Sequence, residues 1–222
     1  MKKTLSRIIA VLCGTAGFAI LAYVFFPILA YEVNSPRYAT YLSPVPDEQL
    51  PVASSGTDFT RLSNWFEKPP EFAESYQPTA LYYTITIPKL RIKNAMVSIG
   101  GEDLTQNLIQ YPGTAVPGKL GNAVIFGHSI LPRFYNPKDY LSIFSTLDNL
   151  KKGDEIYIDY DGVHYTFIME DKFEVSPSDI QILEQNPGDA FLTLVTCSPP
   201  GHPLKPRRLI IRARIVPLDR NI

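Results

Sequence analysis

Cysteine is almost absent from this 222-residue chain, which has only Cys13 and Cys197. Two are too few for a framework of disulfide staples. An excess of charge of one sign is missing too: 21 Lys+Arg stand against 22 Asp+Glu, a formal net charge of −1. The first 30 residues hold Lys2, Lys3 and Arg7 and no acid, so the other 18 basic residues face 22 acidic ones, a net of −4 over residues 31–222. A mildly acidic body lacks the positive footprint that neutralising a phosphate backbone requires, so no nucleic acid is expected as a partner. There are no internal repeats, and low complexity is confined to one Pro-rich stretch. With 45% hydrophobic and 19% charged residues the chain is neither disordered nor collagen-like. Its length suits one globular domain with additional segments.

What is present begins with a basic tail, residues 1–7, and an apolar run from Ile8 to Phe26 that continues through Pro27 to Ala30. At about 1.5 Å per residue, 19 uncharged residues reach across a ~30 Å hydrocarbon core. Positive charge on the short side predicts a cytoplasmic N-terminus and an exported body, a single-pass protein of the plasma membrane with an extracellular domain. The rival is a cleaved signal peptide, whose apolar stretch is usually about 7–15 residues; Ile28-Leu29-Ala30 is a weak cleavage site, and an uncleaved anchor over residues 8–30 is favoured. Cys13 lies inside this run as a small apolar residue. Cys197 is then the sole exported thiol, which excludes an intramolecular disulfide and leaves a linking bridge, an inert buried residue or a reactive group.

Residues 31–80 scatter Pro36, Pro44, Pro46, Pro51, Pro69, Pro70 and Pro78 among Ser, Thr and acids. Proline at this density breaks helices and ladders, so the segment reads as an extracellular stalk with a short helical piece near residues 59–66. Trp65 and Phe66 could pack on the domain or on the membrane surface. From residue 81 to 222 the pattern turns β-rich. Strands are expected at residues 82–87, 95–99, 123–126, 155–160, 163–169, 190–196 and 208–216, with a weaker one at 172–175. Asp161-Gly162 is a two-residue hairpin signal, because both positions of that turn favour positive φ. Short helices are expected at residues 104–109 and 139–147, where apolar residues share a helical face. So many short strands in about 140 residues imply a closed or nearly closed, antiparallel-rich barrel.

Three strand ends carry chemistry. Cys197 closes the strand Phe191-Leu192-Thr193-Leu194-Val195-Thr196 and precedes the turn formers Ser198-Pro199-Pro200-Gly201, the setting in which a scaffold presents a nucleophile. His128 follows the strand Asn122-Ala123-Val124-Ile125-Phe126 and Gly127; an imidazole with an ordinary pKa of about 6.5 serves as base and then as acid. Arg208 opens Leu209-Ile210-Ile211, where a guanidinium can oppose a thiolate or oxyanion. Alternation places Arg212 and Arg214 on the face of Arg208 as exposed strand charges and turns Arg207 away. His164, in a hairpin strand, is expected to face solvent.

Those segments resemble the sortases, the cysteine transpeptidases of bacterial cell surfaces. Thr193-Leu194-Val195-Thr196-Cys197 looks like the family's TLxTC signature, Gly121 to Ser129 like the strand leading to its histidine, and Arg208-Leu209-Ile210-Ile211 like the strand that starts with its arginine. His128, Cys197 69 positions later and Arg208 eleven beyond also keep the family's order and spacing, and the resemblance covers roughly residues 82–217. It implies a closed eight-stranded sortase-type β-barrel, mainly β with two or three short helices, behind a transmembrane helix and a Pro-rich stalk. It also implies that no metal or organic cofactor is required. Cys197 would cleave an LPxTG-like sorting signal after Thr through a thioacyl enzyme, and an amine, a peptidoglycan precursor or a pilin lysine, would resolve it. His128 would shuttle the proton and Arg208 would hold the substrate carbonyl. Thr196, Ser129 and His202 are candidate substrate contacts. Some sortases bind calcium near a loop equivalent to the one holding Glu102 and Asp103, although adjacent acids are more often solvated or capping.

Pilin-building sortases commonly carry an Asp-Pro-aromatic lid and a second hydrophobic segment near the C-terminus. This sequence has no Asp-Pro dipeptide and stops five residues after Pro217, which favours the general anchoring type. The alternatives are a pilin-polymerising sortase, a secreted cysteine peptidase using water, and a non-catalytic surface-binding barrel.

Overall fold

The structure, a computed structural model, describes residues 2–34, 57–66, 80–185 and 188–217. The chain divides into two units, Met1–Pro36 and Arg37–Ile222. The first contains one helix, α1 (Lys2–Asn34). Its segment Ser6–Phe26, 21 residues with a mean hydropathy of 2.3, is long and apolar enough to cross a membrane. The prolines on which the stalk reading rests all lie outside the described residues.

The second unit is a closed barrel of eight strands: β1 (Tyr82–Ile87), β2 (Ile92–Ile99), β3 (Leu108–Gln110), β4 (Gly121–Phe126), β5 (Glu155–Tyr160), β6 (Val163–Val175), β7 (Ala190–Ser198) and β8 (Arg207–Ile215). Around the barrel they run β1-β2-β3-β4-β7-β8-β6-β5 and back to β1. Pairing is antiparallel except between β2 and β3 and between β4 and β7. The Asp161-Gly162 turn joins β5 to β6 with φ of 51° and 75° and pairs Tyr160 with Val163. The expected strands at 163–169 and 172–175 are one strand, β6, kept continuous through an irregularity between Met169 and Asp171 by its pairing with β8.

Two expected helices are absent. Residues 104–109 instead feed β3, whose Leu108, Ile109 and Gln110 pair in parallel with Val97, Ser98 and Ile99. Leu104 and Leu108 are both buried, but in different apolar clusters, so their four-residue spacing never defined one helical face. Residues 139–147 form successive turns, with a 3-10 turn at Leu147–Asn149. Phe144 and Leu147 still enter the core, but the Ser142 and Ser145 hydroxyls bond to the loop at Asn136 and Ile130, and side chains that bond the backbone in this way compete with a helix. The helical piece near residues 59–66 is a single 3-10 turn, Leu62–Trp65.

The central strands are buried on both faces. On β4, Ala123 and Ile125 enter the barrel interior while Val124 and Phe126 join an outer cluster. On β7, Leu192 and Leu194 point inward, and Val195 and Cys197 outward. Two-sided burial explains why these strands read as nearly continuous apolar runs. The outer cluster is closed by residues 59–66: Phe59, Leu62, Trp65 and Phe66 pack on Phe126, Val195, Cys197 and Ile210. This segment is held by an isolated bridge between Arg61 and Asp103, and by Leu62 N–H on the Glu102 carbonyl and Leu104 N–H on that of Thr60.

Candidate active site

Cys197 and Arg208 are direct cross-strand partners in the β7–β8 ladder. β4 runs parallel to β7 with Phe126 beside Val195, an offset of 69 residues, and the same offset relates His128 to Cys197. The parallel pairing therefore converts the sequence spacing into adjacency. It continues past the strand ends, since Gly127 N–H donates to the Val195 carbonyl (3.1 Å) and Thr196 Oγ1 to the Gly127 carbonyl (2.8 Å). Gly127 is needed for steric reasons, because a Cβ there would lie 2.4 Å from the Phe144 ring and 2.5 Å from Leu108.

All three groups are covered: Cys197 is 1% exposed, Arg208 2% and His128 4%. The covering side chain is Trp65, its ring centroid 6.2 Å from that of His128 and 5.1 Å from the Arg208 guanidinium carbon. Its indole N–H donates to the Phe59 carbonyl (2.9 Å), and its own carbonyl accepts from Arg208 Nη2 (3.3 Å). Arg208 Nη1 donates to the carbonyls of Lys205 (3.0 Å) and Arg207 (3.2 Å), and the guanidinium also lies 5.3 Å from the Phe59 ring. Burial pushes the Arg208 pKa down and Cys197 pushes it up.

His128 is held down at about 4, first by burial and then by the positive charge of Lys205; Asp58 and Asp103 pull the other way. Its Nε2 is buried without a hydrogen-bond partner among the described residues. At neutral pH the site therefore contains a neutral imidazole with one nitrogen free for proton exchange. A cleft of about 440 Å³ opens beside it, lined by Thr60, His128, Ser129, Ile130, Leu131, Phe134, Leu141, Gly201 and Lys205.

The other sequence candidates separate. Ser129 lines the cleft, and its hydroxyl donates to the Cys197 carbonyl (2.9 Å). Thr196 is fully buried and braces β7 against Gly127. His202 sits in the turn after β7, where its Nδ1 accepts from Leu204 N–H (3.1 Å), and it does not line the cleft. His164 is exposed and pairs with Asp159 (2.6 Å). Arg207 turns away to Glu174 (3.0 Å), which also accepts from Ser198 Oγ. Arg212 lies over Phe173 and Phe191, and Arg214 pairs with Glu170 and Asp189.

The Glu102 side chain braces the covering segment, and that of Asp103 caps its own loop. Glu102 Oε2 accepts from Ser63 N–H (3.1 Å), and Asp103 Oδ1 accepts from Thr105 N–H (2.9 Å) and Oγ1 (2.6 Å). Among the described residues no three His, Cys, Asp or Glu side chains are grouped to hold a metal ion. Sequence reasoning missed Lys205, Thr60 and Asp58 and left Trp65 undecided. No local pattern marks them, because long-range packing brings them to the site.

The structure is thus a closed mixed barrel that brings a thiol, an imidazole and a guanidinium together at the ends of β4, β7 and β8. The Sortase domain model matches residues 85–216, and the chain belongs to the sortase family. Sortase A of Streptococcus agalactiae serotype III (strain NEM316) is 25% identical over 132 residues, which cover 59% of this chain and 51% of that protein. The chain thus spans about half the length of the curated relative it matches. Among solved structures, a sortase D5 transpeptidase of Clostridium perfringens has a TM-score of 0.53 and 27% identity over 65% of this chain and 84% of its own. Sortase C-1 from Actinomyces oris has 0.52 and 27% over 61% and 73%, and a lid mutant of sortase A from Corynebacterium diphtheriae 0.53 and 28% over 67% and 76%.

Proposed function

We propose that this protein is a membrane-anchored cysteine transpeptidase that cleaves an LPxTG-like sorting signal after Thr and transfers the cargo protein to an amine acceptor of the cell surface. The observation that carries the reading is the cross-strand pairing of Cys197 with Arg208 beside His128. In this reading the thiol proton passes to His128 as Sγ attacks the carbonyl, and Arg208 opposes the charge that develops on oxygen. His128 gives its proton to the leaving amine as the C–N bond breaks. The incoming amine attacks the thioester, loses a proton to the imidazole, and Cys197 leaves. Anchoring through α1 with the barrel outside the cell follows from the charge bias of residues 1–7.

Cys197 is 1% exposed, so acylation requires its cover to open, and residues 59–66 are part of that cover. That covering supports a second reading, pilin polymerisation. The preference for the anchoring type rested in part on the lack of an Asp-Pro-aromatic lid, and here Phe59 and Trp65 cover the site without that dipeptide.

Intact-mass spectrometry of the full chain in detergent, mixed with an LPxTG peptide, tests the proposal. The expected result is an adduct ending at Thr that disappears on adding triglycine and is absent in Cys197→Ala. An adduct that persists in Cys197→Ala would overturn the reading, and preference for a pilin lysine peptide over triglycine would favour polymerisation.

A further inference from the structure

The cleft beside His128 contains a charge that the reaction above does not use. Four of its lining residues, Ile130, Leu131, Phe134 and Leu141, are apolar, and the Ser129 hydroxyl is engaged with the Cys197 carbonyl. Lys205 is the one Lys, Arg, Asp or Glu among the lining residues. It sits in the loop between β7 and β8 with a φ of 43°, inside the left-handed region. Its backbone is tied at both ends: the N–H donates to the His202 carbonyl (3.2 Å), and the carbonyl accepts from Arg208 Nη1 (3.0 Å). The half-buried side chain is thus placed by the same guanidinium that faces the thiol. Its ammonium lies 4.6 Å from the centroid of Phe59, and no carboxylate lies within ion-pair range among the described residues. Phe59 belongs to the segment packed around Cys197, and its displacement would leave the ammonium facing the cleft.

We propose that Lys205 holds a carboxylate carried by the acceptor amine, so that the enzyme selects nucleophiles whose acceptor peptide ends in an anionic group. The inference rests on the transpeptidase reading above. Its assignment to the acceptor rather than to the sorting signal comes from His128. The imidazole that takes the proton of the incoming amine lines this cleft together with Lys205. Apolar walls exclude competing water and strengthen an ion pair formed there.

Triglycine and triglycinamide offer the same nucleophilic nitrogen and differ in the distal carboxylate. The full chain in detergent is first acylated with an LPxTG peptide, then given an equimolar mixture of the two, and the products are resolved by mass. Triglycine is expected to win by about fivefold, the size of one modest ion pair. The preference should be kept in Lys205→Arg, fall to about one in Lys205→Met, reverse in Lys205→Glu and shrink with added salt. Because the ratio is internal to each variant, partial misfolding does not change it. An equal mixture of products from the wild type would overturn the proposal, as would an unchanged ratio in Lys205→Met. So would a Lys205→Met effect confined to adduct formation with peptides differing in the charge of x. Absence of any adduct, seen before amine is added, would overturn the transpeptidase reading together with this one.

Discussion

Cys197 and Arg208 face each other across the β7–β8 ladder on the outer face of the sheet, beneath the Trp65 ring and nearly sealed from solvent. Directly opposed residues in an antiparallel pair lie within about 5.5 Å at Cα. The cation is therefore positioned by backbone pairing, and its side chain needs no long reach to lie beside the thiol.

Arg208→Ala should reduce single-turnover acylation by about 10²–10³, the usual cost of losing an oxyanion donor. It also leaves three carbonyls, those of Lys205, Arg207 and Trp65, without this donor. Arg208→Lys should fall between, because an ammonium keeps the charge and loses the fork. Adduct formation followed by mass checks both, and wild-type rates in Arg208→Ala would leave the guanidinium a structural role only.

Trp65→Ala removes a ring that is 1% exposed and packs edge-on against Phe126 at 5.3 Å. The loss, about 3–5 kcal/mol for a buried tryptophan, exceeds what the few backbone bonds of a ten-residue segment are expected to retain. Iodoacetamide should alkylate Cys197 at least about tenfold faster in this variant. An unchanged rate would mean that something other than residues 59–66 shields the thiol.

Between roughly pH 6.5 and 4 the unfolded chain binds a proton at His128 that the folded chain, with this imidazole at about 4, refuses. Stability should fall as pH drops through that window, by up to about 3 kcal/mol, and be unaffected by this group above it. The charges facing His128 are Lys205, Asp58 and Asp103. Thr60 and Thr105 hold the two carboxylates below their usual range, so they add their own loss at lower pH. Urea melts at pH 7 and 4.5 should show the decline in the wild type and a flatter profile in His128→Gln.

Gly127→Ala should destabilise the barrel by about 1–3 kcal/mol and slow acylation, because the new methyl collides with Phe144 and Leu108 unless His128 is displaced. Thermal melting and adduct formation report the two effects separately. A wild-type Tm would show that the ring of Phe144 yields without cost.

Much of the site was legible because its parts lie near the ends of strands whose apolar runs are unmistakable: His128 after β4, Cys197 next to last in β7 and Arg208 second in β8. The hairpin at Asp161-Gly162 was legible because positive φ is a local demand. Helices expected at residues 104–109 and 139–147 were misread, since four-residue apolar spacing also arises when a chain serves two clusters in turn or when its serines bond a neighbouring loop.

By itself the sequence determined seven of the eight strands, all but β3, which chemical side chains lie near their ends and that one apolar segment is long enough to span a membrane, since each depends on neighbours within a few residues. Tertiary structure decided that a 69-residue separation is the offset of a parallel β4–β7 pair, that residues 59–66 cover the thiol, and that Lys205 shares a cleft with His128. Those outcomes depend on burying one sheet on both faces, and burial is a property of the whole chain that no local pattern encodes.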